Sequence, residues 1–475
     1  MAPKHVVKSP NVGLLEIKSK PYYIVASVEV GNTTTKCILT ATNMESGKTH
    51  IVNRYIRMTR EVRAPKVGEV VFGKTLTGVE LTRQSISELV RDTLVGAVNS
   101  ANLDIEKDIH FVVRSTGVVA GFAVPEDVGE FIKALADGCL LAGIPPSRMT
   151  PAMSVNNLPL KFQKYTKMEK VVFDGAVASV NPPIGSTGVE IVANEMEGEL
   201  ATAGIKEGAK WTGVDFRNPC ISIDFGTTLD GRIVNSDYPY AKTVGNFCGY
   251  AGAIPDALIK GTSIVDSKLG TALDISGRNK HSWLMMKVKN KRIKELASKV
   301  LDIITIEKVP DDVVRYGSVP VNPKAAKEMG VVLIGCDVGD NGSRLNEVLE
   351  LGSHIYKEEG IKTLFSVIDE VMANIVSRLV GVALEYNLLH ENTSIGITGR
   401  AAITGDKPSL ILKYLENIND LNNIENRVVF VDDALARGAA VMARCMNSMG
   451  TPFNPLGGNA GGKCIMGPRM KLQSH

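Results

Sequence analysis

Apolar residues along the chain form short runs, and most runs end in a polar turn that contains glycine. Residues 22–30 are apolar at nearly every position, which predicts a strand buried on both faces. The polar turn 31–36 follows, and the apolar run 37–41 predicts a second strand, so the chain opens with a hairpin rather than a strand–loop–helix unit. Residues 110–113 predict a further strand.

Segments with helical spacing of apolar residues alternate with these strands. In residues 82–100 the apolar positions recur every three or four residues, which predicts an amphipathic helix. Residues 125–141 predict another helix, because Pro125 stands at its start and Gly143 ends it. Further helices are predicted at 293–303, 361–389, 408–415 and 434–446, and further strands at 331–335, 395–398 and 428–431. This alternation predicts an α/β fold.

The opening hairpin pattern occurs a second time. Residues 220–234 again give an apolar strand, an acidic residue, a glycine, two threonines and another strand, and Asp224 follows Glu29 by 195 residues. We interpret this as an internal repeat of two lobes, each with a mixed sheet and flanking helices. The predicted domains are a flexible N-terminal lead at 1–20, a first lobe at 21–219, a second lobe at 220–449 and a Gly/Pro-rich tail at 450–475.

The composition excludes several classes of protein. A formal net charge of +3 without a long basic run argues against a nucleic-acid partner. The seven cysteines include no CxxC pair, which predicts reduced thiols rather than a zinc site, although a metal cluster shared between subunits stays open. Without an uninterrupted run of eighteen apolar residues, we expect no membrane span and a cytoplasmic protein. A homo-oligomer is also left open.

The two repeated turns carry the residue types that hold phosphate. In each turn, glycine lets the backbone approach a ligand, and threonine hydroxyls and backbone N–H groups can bind phosphate oxygens. The acidic residues Glu29 and Asp224 can hold hydrated Mg²⁺ or orient a water, and we predict them as the catalytic and metal-binding residues. The predicted phosphate-binding residues are Gly31, Asn32, Thr33, Thr34, Thr35, Lys36, Gly226, Thr227 and Thr228. An ordinary hairpin turn explains either segment alone, and the recurrence favours phosphate binding.

A third candidate is the strand-and-turn at residues 395–400. A glycine-bearing turn that opens a helix allows close approach of a flat ring or a ribose, so Gly396, Thr398, Gly399 and Arg400 are predicted to contact a nucleoside. Many turns in α/β proteins share this pattern. The small residues at 434–441 predict a helix that packs tightly on a neighbour.

Other segments have plainer interpretations. Residues 246–252 are interpreted as a loop, with contact to a substrate or partner as the alternative. Residues 114–117 fit a strand-end turn as well as they fit the lining of a cleft. His110 is interpreted as a core or edge residue rather than a metal ligand, and residues 337–342 as a turn rather than a calcium loop.

In this order the elements resemble the plan of the actin–sugar kinase–heat-shock (ASKHA) ATPase superfamily. The resemblance spans most of residues 22–448 and implies a two-lobed, actin-like ATPase fold of the α/β class that binds ATP and Mg²⁺. Within the superfamily, the two hairpins are most similar to activator ATPases of radical dehydratases and corrinoid enzymes and to the hydantoinase/oxoprolinase group. The superfamily normally has Asp where this chain has Glu29. Glu is one methylene longer than Asp, and the resulting displacement of a metal–water network can cost roughly 10²-fold in rate.

Three longer runs resemble the methanogenesis marker protein 14 family of methanogenic archaea, and they are residues 26–37, 72–82 and 111–122. The resemblance to this family covers nearly the full length of the chain. This resemblance implies a cytoplasmic role tied to methanogenesis and a protein partner in that pathway, without supplying a reaction.

Three hypotheses on function follow. The first is a nucleotide-driven conformational ATPase that assists activation or maturation of a methanogenesis enzyme, with methyl-coenzyme M reductase as the suggested target. The second is a small-molecule kinase or ATP-dependent amide hydrolase with Asp224 as the base. The third is a non-catalytic scaffold with a degenerate nucleotide site, for which Glu29 is the main support.

Overall fold

The computed structural model describes residues 6–7, 12–116, 118, 125–149, 189–235, 243–276, 290–321, 323–328, 330–418, 421 and 423–449. The strands are β1 Tyr22–Val30, β2 Thr34–Asn43, β3 Thr49–Met58, β4 Val71–Lys74, β5 Glu80–Thr82, β6 Phe111–Thr116, β7 Cys220–Phe225, β8 Leu229–Val234, β9 Thr243–Gly249, β10 Ile304–Lys308, β11 Arg315–Tyr316, β12 Val319–Pro320, β13 Val332–Val338, β14 Ser394–Thr398 and β15 Val428–Phe430. The helices are α1 Leu14–Ser19, α2 Arg83–Ser100, α3 Pro125–Leu141, α4 Val189–Ala209, α5 Ala253–Lys260, α6 Leu273–Ser276, α7 Asn290–Leu301, α8 Pro323–Glu328, α9 Leu345–Glu385, α10 Arg400–Ile403, α11 Lys407–Glu416 and α12 Ala434–Met449. This is a mixed α/β protein.

The described residues form two compact units. The N-terminal unit contains the described residues between 12 and 211 and residues 433–449, and the C-terminal unit contains residues 6–7, 212–235 and the described residues between 243 and 432.

The N-terminal unit is built on a sheet with apolar side chains on both faces. In the described residues this sheet has four strands in the order β3-β2-β1-β6, with β6 parallel to β1 and the other pairs antiparallel. Alternate residues of β1 point to opposite faces, so Ala26 and Val28 pack with α2 and α3 while Tyr23 and Val25 pack with α4 and α12.

Helices α4 and α12 approach each other closely, as the small residues predicted. A Cβ atom on Gly204 of α4 would lie 1.7 Å from the Ala434 carbonyl oxygen, and one on Gly438 of α12 would lie 1.9 Å from the Leu200 carbonyl oxygen. Only glycine fits at these two contacts. Although the sequence suggested that α12 belongs with the second lobe, it groups with the N-terminal unit, because its packing partner is α4.

The C-terminal unit is built on a larger sheet. Among the described residues its order is β10-β13-β9-β8-β7-β14-β15, and β8 and β10 run antiparallel to their neighbours. Its core contains side chains from α5, α7, α9 and α11 packed on Ile221, Ile223 and Ile397. Before this unit's main segment, Val6 bridges to Phe430 at the edge strand β15.

Both sheets contain the same arrangement of strands. The N-terminal unit has an antiparallel β1–β2–β3 meander with β6 parallel to β1, and the C-terminal unit has an antiparallel β7–β8–β9 meander with β14 parallel to β7. The predicted hairpins are therefore the first two strands of each meander.

Several boundaries differ from those predicted. The compact units divide at residue 212 rather than 220, and the predicted flexible lead contains helix α1 and the Val6 bridge. Helix α9 begins at Leu345 and is broken at Gly360, whose φ of 80° interrupts it, so only its second half was predicted. The predicted tail at 450–475 lies outside the described residues.

Two segments interpreted as turns or loops are strands. Arg114, Ser115 and Thr116 complete β6, because they pair in parallel register with Val28, Glu29 and Val30. Residues 243–249 form β9 between β8 and β13, with Phe247 and Cys248 fully buried. In both cases long-range pairing overrides the local preference of polar residues and glycine for turns.

Candidate functional site

The ends of the parallel strands meet at one edge of the C-terminal unit. Strands β7, β9, β13, β14 and β15 run in the same direction, so their last residues lie along one edge of the sheet. Strands β7 and β14 are neighbours, yet the chain leaves β7 through the β8 hairpin and leaves β14 through α10. Ligands of open α/β sheets bind at such points, where the connections diverge.

The turn between β7 and β8 has its carbonyl groups held on one side. The Gly226 carbonyl accepts from Gly252 N at 2.8 Å, and the Thr227 carbonyl accepts from Ala251 N at 3.2 Å and from Ala253 N at 3.1 Å. In a trans peptide the N–H of the next residue points opposite to the carbonyl, so the N–H groups of Thr227 and Thr228 point away from the 250–253 turn. With Gly226 exposed beside them, these donors form a surface suited to phosphate oxygens.

The turn after β14 lies directly against the end of β7. Gly399 has a φ of +87°, and a Cβ atom there would lie 2.3 Å from the Phe225 carbonyl oxygen. In the parallel register Thr398 pairs with Asp224. The structure thus brings the predicted residues Asp224, Thr398 and Gly399 together at one edge, next to the 226–228 turn.

The other two predicted nucleoside-binding residues lie on either side of this turn. Gly396 lies within β14, paired with Ser222 of β7 and Val429 of β15. Arg400 is the first residue of α10, directly after Gly399.

Asp224 has an acidic neighbour that sequence reasoning missed. In the β7–β8 hairpin Asp224 pairs with Asp230, so both side chains stand on the same face of the sheet. The signal lay in the hairpin itself, because pairing of Phe225 with Leu229 across a three-residue turn places residue 230 opposite residue 224.

The environment of Asp230 favours its neutral form. Burial raises the pKa of Asp230 to about 6, while the Gly231 N–H that donates to Oδ1 at 2.6 Å and the nearby Arg232 oppose the shift. A carboxylate whose charge is costly gains from a nearby cation.

The Asp224–Asp230 pair fits Mg²⁺ better than a transition metal. Mg²⁺ is held by one or two carboxylates and keeps several waters, whereas structural zinc sites use four protein ligands. Among the described residues no group of three or more His, Cys, Asp or Glu side chains is arranged to hold a metal. Two carboxylates are a donor set that Mg²⁺ accepts.

The equivalent hairpin of the N-terminal unit carries an ion pair instead. Glu29 pairs with Lys36 across β1 and β2, and the Lys36 ammonium lies 2.9 Å from the Glu29 carboxylate. On the parallel side Glu29 pairs with Ser115, whose hydroxyl is buried. The predicted acid of this hairpin is therefore neutralised by the lysine of the same turn.

Several predicted phosphate-binding groups of this hairpin make internal hydrogen bonds. The Asn32 side-chain oxygen accepts from Leu76 N at 3.0 Å, which ties the hairpin tip to the β4–β5 turn. The Thr35 hydroxyl is buried and lies 3.0 Å from the Thr59 hydroxyl. These contacts give Asn32 and Thr35 structural roles.

The remaining residues of this hairpin are more open. Gly31 and Thr34 close the turn through a bond of 2.9 Å from Gly31 N to the Thr34 carbonyl. Thr33 accepts from Thr59 N at 2.9 Å through its carbonyl, and the Thr33 and Thr34 side chains are partly exposed.

Two plainer interpretations are confirmed. The Asp337 carboxylate accepts from the backbone N–H groups of Asn341 at 2.9 Å and Gly342 at 3.0 Å, so the segment is a turn held by its own acid. His110 Nδ1 accepts from Ile24 N at 3.1 Å and acts as a satisfied edge residue of the sheet.

Cys37, Cys139, Cys220, Cys248 and Cys336 are free and buried. Within the described part of the chain, no helix combines the length and apolar character needed to cross a membrane.

Two solved structures show weak similarity to the chain. One is a reductive activator for a corrinoid, iron-sulfur protein, with 12% identity, a TM-score of 0.33, and coverage of 90% of this chain and 61% of that chain. The other is the activator of the 2-hydroxyisocaproyl-CoA dehydratase from Clostridium difficile with bound ADPNP, with 10% identity, a TM-score of 0.34, and coverage of 89% and 94%. These TM-scores are too low for either similarity to support a conclusion about this chain.

Similarity to archaeal sequences is much stronger. An uncharacterized protein of Methanocaldococcus jannaschii is 55% identical over 98% of this chain and 94% of its own length. An uncharacterized protein of Methanothermobacter thermautotrophicus is 57% identical over 95% of this chain and 83% of its own length. The model of the family described as "Uncharacterized protein conserved in archaea (DUF2114)" matches residues 22–473. The chain belongs to this archaeal family.

Proposed function

We propose that the chain binds a nucleoside triphosphate, ATP in particular, together with Mg²⁺ at the shared edge of β7 and β14. The observation that carries this proposal is the 226–228 turn, whose carbonyl groups are held by the 250–253 turn so that the N–H groups of Thr227 and Thr228 point the other way. Gly399, packed on the end of β7, supplies a second close backbone approach beside it.

Each residue has a distinct role in this proposal. Thr227 and Thr228 bind phosphate oxygens through their N–H and hydroxyl groups. Asp224 and Asp230 would hold Mg²⁺, and Asp224 would orient the water that attacks the terminal phosphate. Mg²⁺, when bound, neutralises the charge of the phosphates. The Gly399 turn accommodates the nucleoside.

The proposed role is that of a nucleotide-driven conformational ATPase with a protein partner. Both relatives come from methanogens, which supports a partner enzyme in methanogenesis. This proposal has three further parts: the family is the methanogenesis marker protein 14 family, the fold is actin-like, and the target is methyl-coenzyme M reductase. The test is recovery of activity by inactive reductase incubated with the protein, with and without ATP.

A scaffold with a degenerate nucleotide site is the second candidate. The Glu29–Lys36 ion pair favours it, because a neutralised acid cannot hold a metal or orient a water as a free carboxylate does. A protein that binds ATP, never hydrolyses it, and does not gain turnover in Glu29→Asp would establish this alternative. A metabolite that accelerates ATP turnover would instead indicate a small-molecule kinase or amide hydrolase.

The first experiment is calorimetric titration of the purified protein with ATP and Mg²⁺. Asp224→Ala should weaken binding at least tenfold, a loss of about 1.4 kcal/mol, since it removes one of two carboxylates at the site. Asp312→Ala, which removes an exposed aspartate elsewhere in the same unit, is the matched control and should bind as the wild type does. Absence of binding by the wild type at millimolar ATP would overturn the proposal.

A further inference from the structure

A buried ion pair lies close to the Gly399 turn. The Lys407 and Asp369 side chains are only 1% and 8% exposed, and the Lys407 ammonium lies 2.5 Å from Asp369 Oδ1. Lys407 also donates to the Thr404 carbonyl and to the Thr404 hydroxyl, each at 3.2 Å. An ammonium has three N–H donors, and each has an acceptor here. These hydrogen bonds offset the free-energy cost of burying the charge.

The same carboxylate holds the start of the next helix. Asp369 Oδ2 accepts from Asp406 N at 2.8 Å, so the two oxygens of one side chain on α9 bind two consecutive residues at the start of α11. The neighbouring Glu370 accepts from the Tyr414 hydroxyl further along α11. Helix α9 therefore fixes the position of α11 at two points.

Hydrogen bonds continue from this ion pair to the Gly399 turn. The Thr404 hydroxyl, which accepts from Lys407, lies 2.8 Å from the Arg400 carbonyl oxygen. The Gly399 carbonyl accepts from Ile403 N at 3.2 Å. The backbone from Gly399 to Lys407 is thus tied through Thr404 to a fixed charge on α9.

Stability alone does not account for an ion pair at this position. Replacement of a buried ion pair by apolar residues of similar size is often neutral or stabilising, because both charges lose their hydration when they are buried. An ion pair does specify geometry, since charge and hydrogen-bond directions fix both partners.

We propose that Asp369 and Lys407 are positioning residues that hold the 399–407 segment in place for the nucleoside half of the ligand. They act through the backbone of this segment and leave the phosphate-binding turn at 226–228 unaffected. This inference rests on the proposed function, and it adds that the nucleoside and the phosphates are held by separately supported segments.

The test compares ATP with inorganic tripolyphosphate, each titrated with Mg²⁺ into the full chain. The variant is the double replacement Asp369→Leu/Lys407→Met, which removes both charges and leaves neither one unpaired. We expect ATP to bind about tenfold more weakly, the lower end of the range found when supporting partners of a binding residue are removed. Tripolyphosphate should bind with nearly unchanged affinity, because the carbonyl groups of the 226–228 turn are held by the 250–253 turn rather than by the ion pair.

The matched control is Arg344→Met/Glu347→Leu, which removes an exposed ion pair of the same unit and should leave both ligands unaffected. Unchanged ATP affinity in the Asp369/Lys407 double variant would overturn the inference. Equal loss of ATP and tripolyphosphate would also overturn it, because it would indicate general damage to the fold. If the wild type binds neither ligand, the proposed function itself fails, and the inference fails with it.

Discussion

Asp224 and Asp230 stand directly opposite each other in the β7–β8 hairpin, with two carboxyl groups on one face of the sheet. The equivalent position in the N-terminal unit pairs Glu29 with Lys36, an acid with a base. Two hairpins with the same strand arrangement therefore differ by two units of charge in their cross-strand pair. The acid of the second hairpin already has an internal ammonium as its partner.

The raised pKa of Asp230 predicts that its charge destabilises the folded protein. Its pKa is about 6 in the folded chain against an ordinary 3.8, so the protonated form is favoured on folding. The stabilising contribution is complete below the ordinary pKa and is lost as pH rises through about 6, by up to about 3 kcal/mol. Asp230→Asn should therefore unfold at a higher temperature than the wild type at pH 7, and at nearly the same temperature at pH 4.

The control for this prediction is Asp312→Asn, an exposed aspartate whose replacement should leave the pH dependence unchanged. The measurement is thermal unfolding across the two pH values without Mg²⁺. If Asp230→Asn and the wild type lose stability in parallel as pH rises, Asp230 is not the group responsible.

Mg²⁺ affinity should depend on the protonation of Asp230. A metal requires the deprotonated carboxylate, so Mg²⁺ and the proton compete for Asp230 and binding should strengthen as pH rises through about 6. Asp230→Asn should remove most of this pH dependence and weaken binding. Calorimetry at several pH values measures it, and Mg²⁺ affinity that is flat between pH 5 and 7 in the wild type would contradict the assignment.

Gly399 should tolerate no side chain. An alanine there would meet the Phe225 carbonyl oxygen at 2.3 Å, at a φ of 87° and a ψ of 138° that cost a residue other than glycine about 1–3 kcal/mol. We expect Gly399→Ala to lower the free energy of unfolding by about 3 kcal/mol and to abolish nucleotide binding. Gly381→Ala is the control, because this helical glycine of α9 has open space around it and should gain up to about 1 kcal/mol.

The close approach of α4 and α12 predicts a similar contrast within one helix. Gly204→Ala would place a methyl group 1.7 Å from the Ala434 carbonyl oxygen, so the helices must separate, at a cost of about 3 kcal/mol or more. Gly198→Ala, six residues earlier on α4 with nothing within 4 Å, should be neutral or slightly stabilising. Denaturant unfolding of both variants measures the difference, and equal stabilities would show that the helices can move apart freely.

The exposure of the Glu29–Lys36 ion pair predicts a small contribution to stability. Because both side chains are partly exposed, Glu29→Gln should lower the free energy of unfolding by at most about 1 kcal/mol. High salt should reduce this difference, because it screens the attraction between the two charges. Denaturant unfolding at low and high salt measures it, with Glu45→Gln, an exposed glutamate of the same unit, as the control. A loss of several kcal/mol that salt does not change would contradict this prediction.

The sequence predicted those features that arise from local patterns. The helical spacing in α2 and α3 and the two acidic residues before glycine turns were all visible, because each depends on a few neighbouring residues. Two of the strands that it missed, at Arg114–Thr116 and in β9, are rich in polar residues and glycines and become strands through pairing with distant segments.

Burial was the other property that the sequence could not supply. A lysine at the first position of a helix, such as Lys407, is expected to be exposed to solvent. Only the packing of α9 shows that its ammonium is inside the protein. Asp230 was passed over because its importance depends on register, which a single strand does not reveal. The grouping of α12 with α4 depends on glycines more than 200 residues apart in the chain.

The shared strand arrangement of the two sheets has a consequence for how the two hairpins can be compared. In both, an acid two positions before the turn glycine stands opposite a charged residue, so the backbone is matched and the side chain is the variable. Exchange of one side chain, Lys36→Asp in one unit or Asp230→Lys in the other, would therefore give one hairpin the charge pattern of the other without a change of strand pairing. Each unit thus serves as an internal reference for the other.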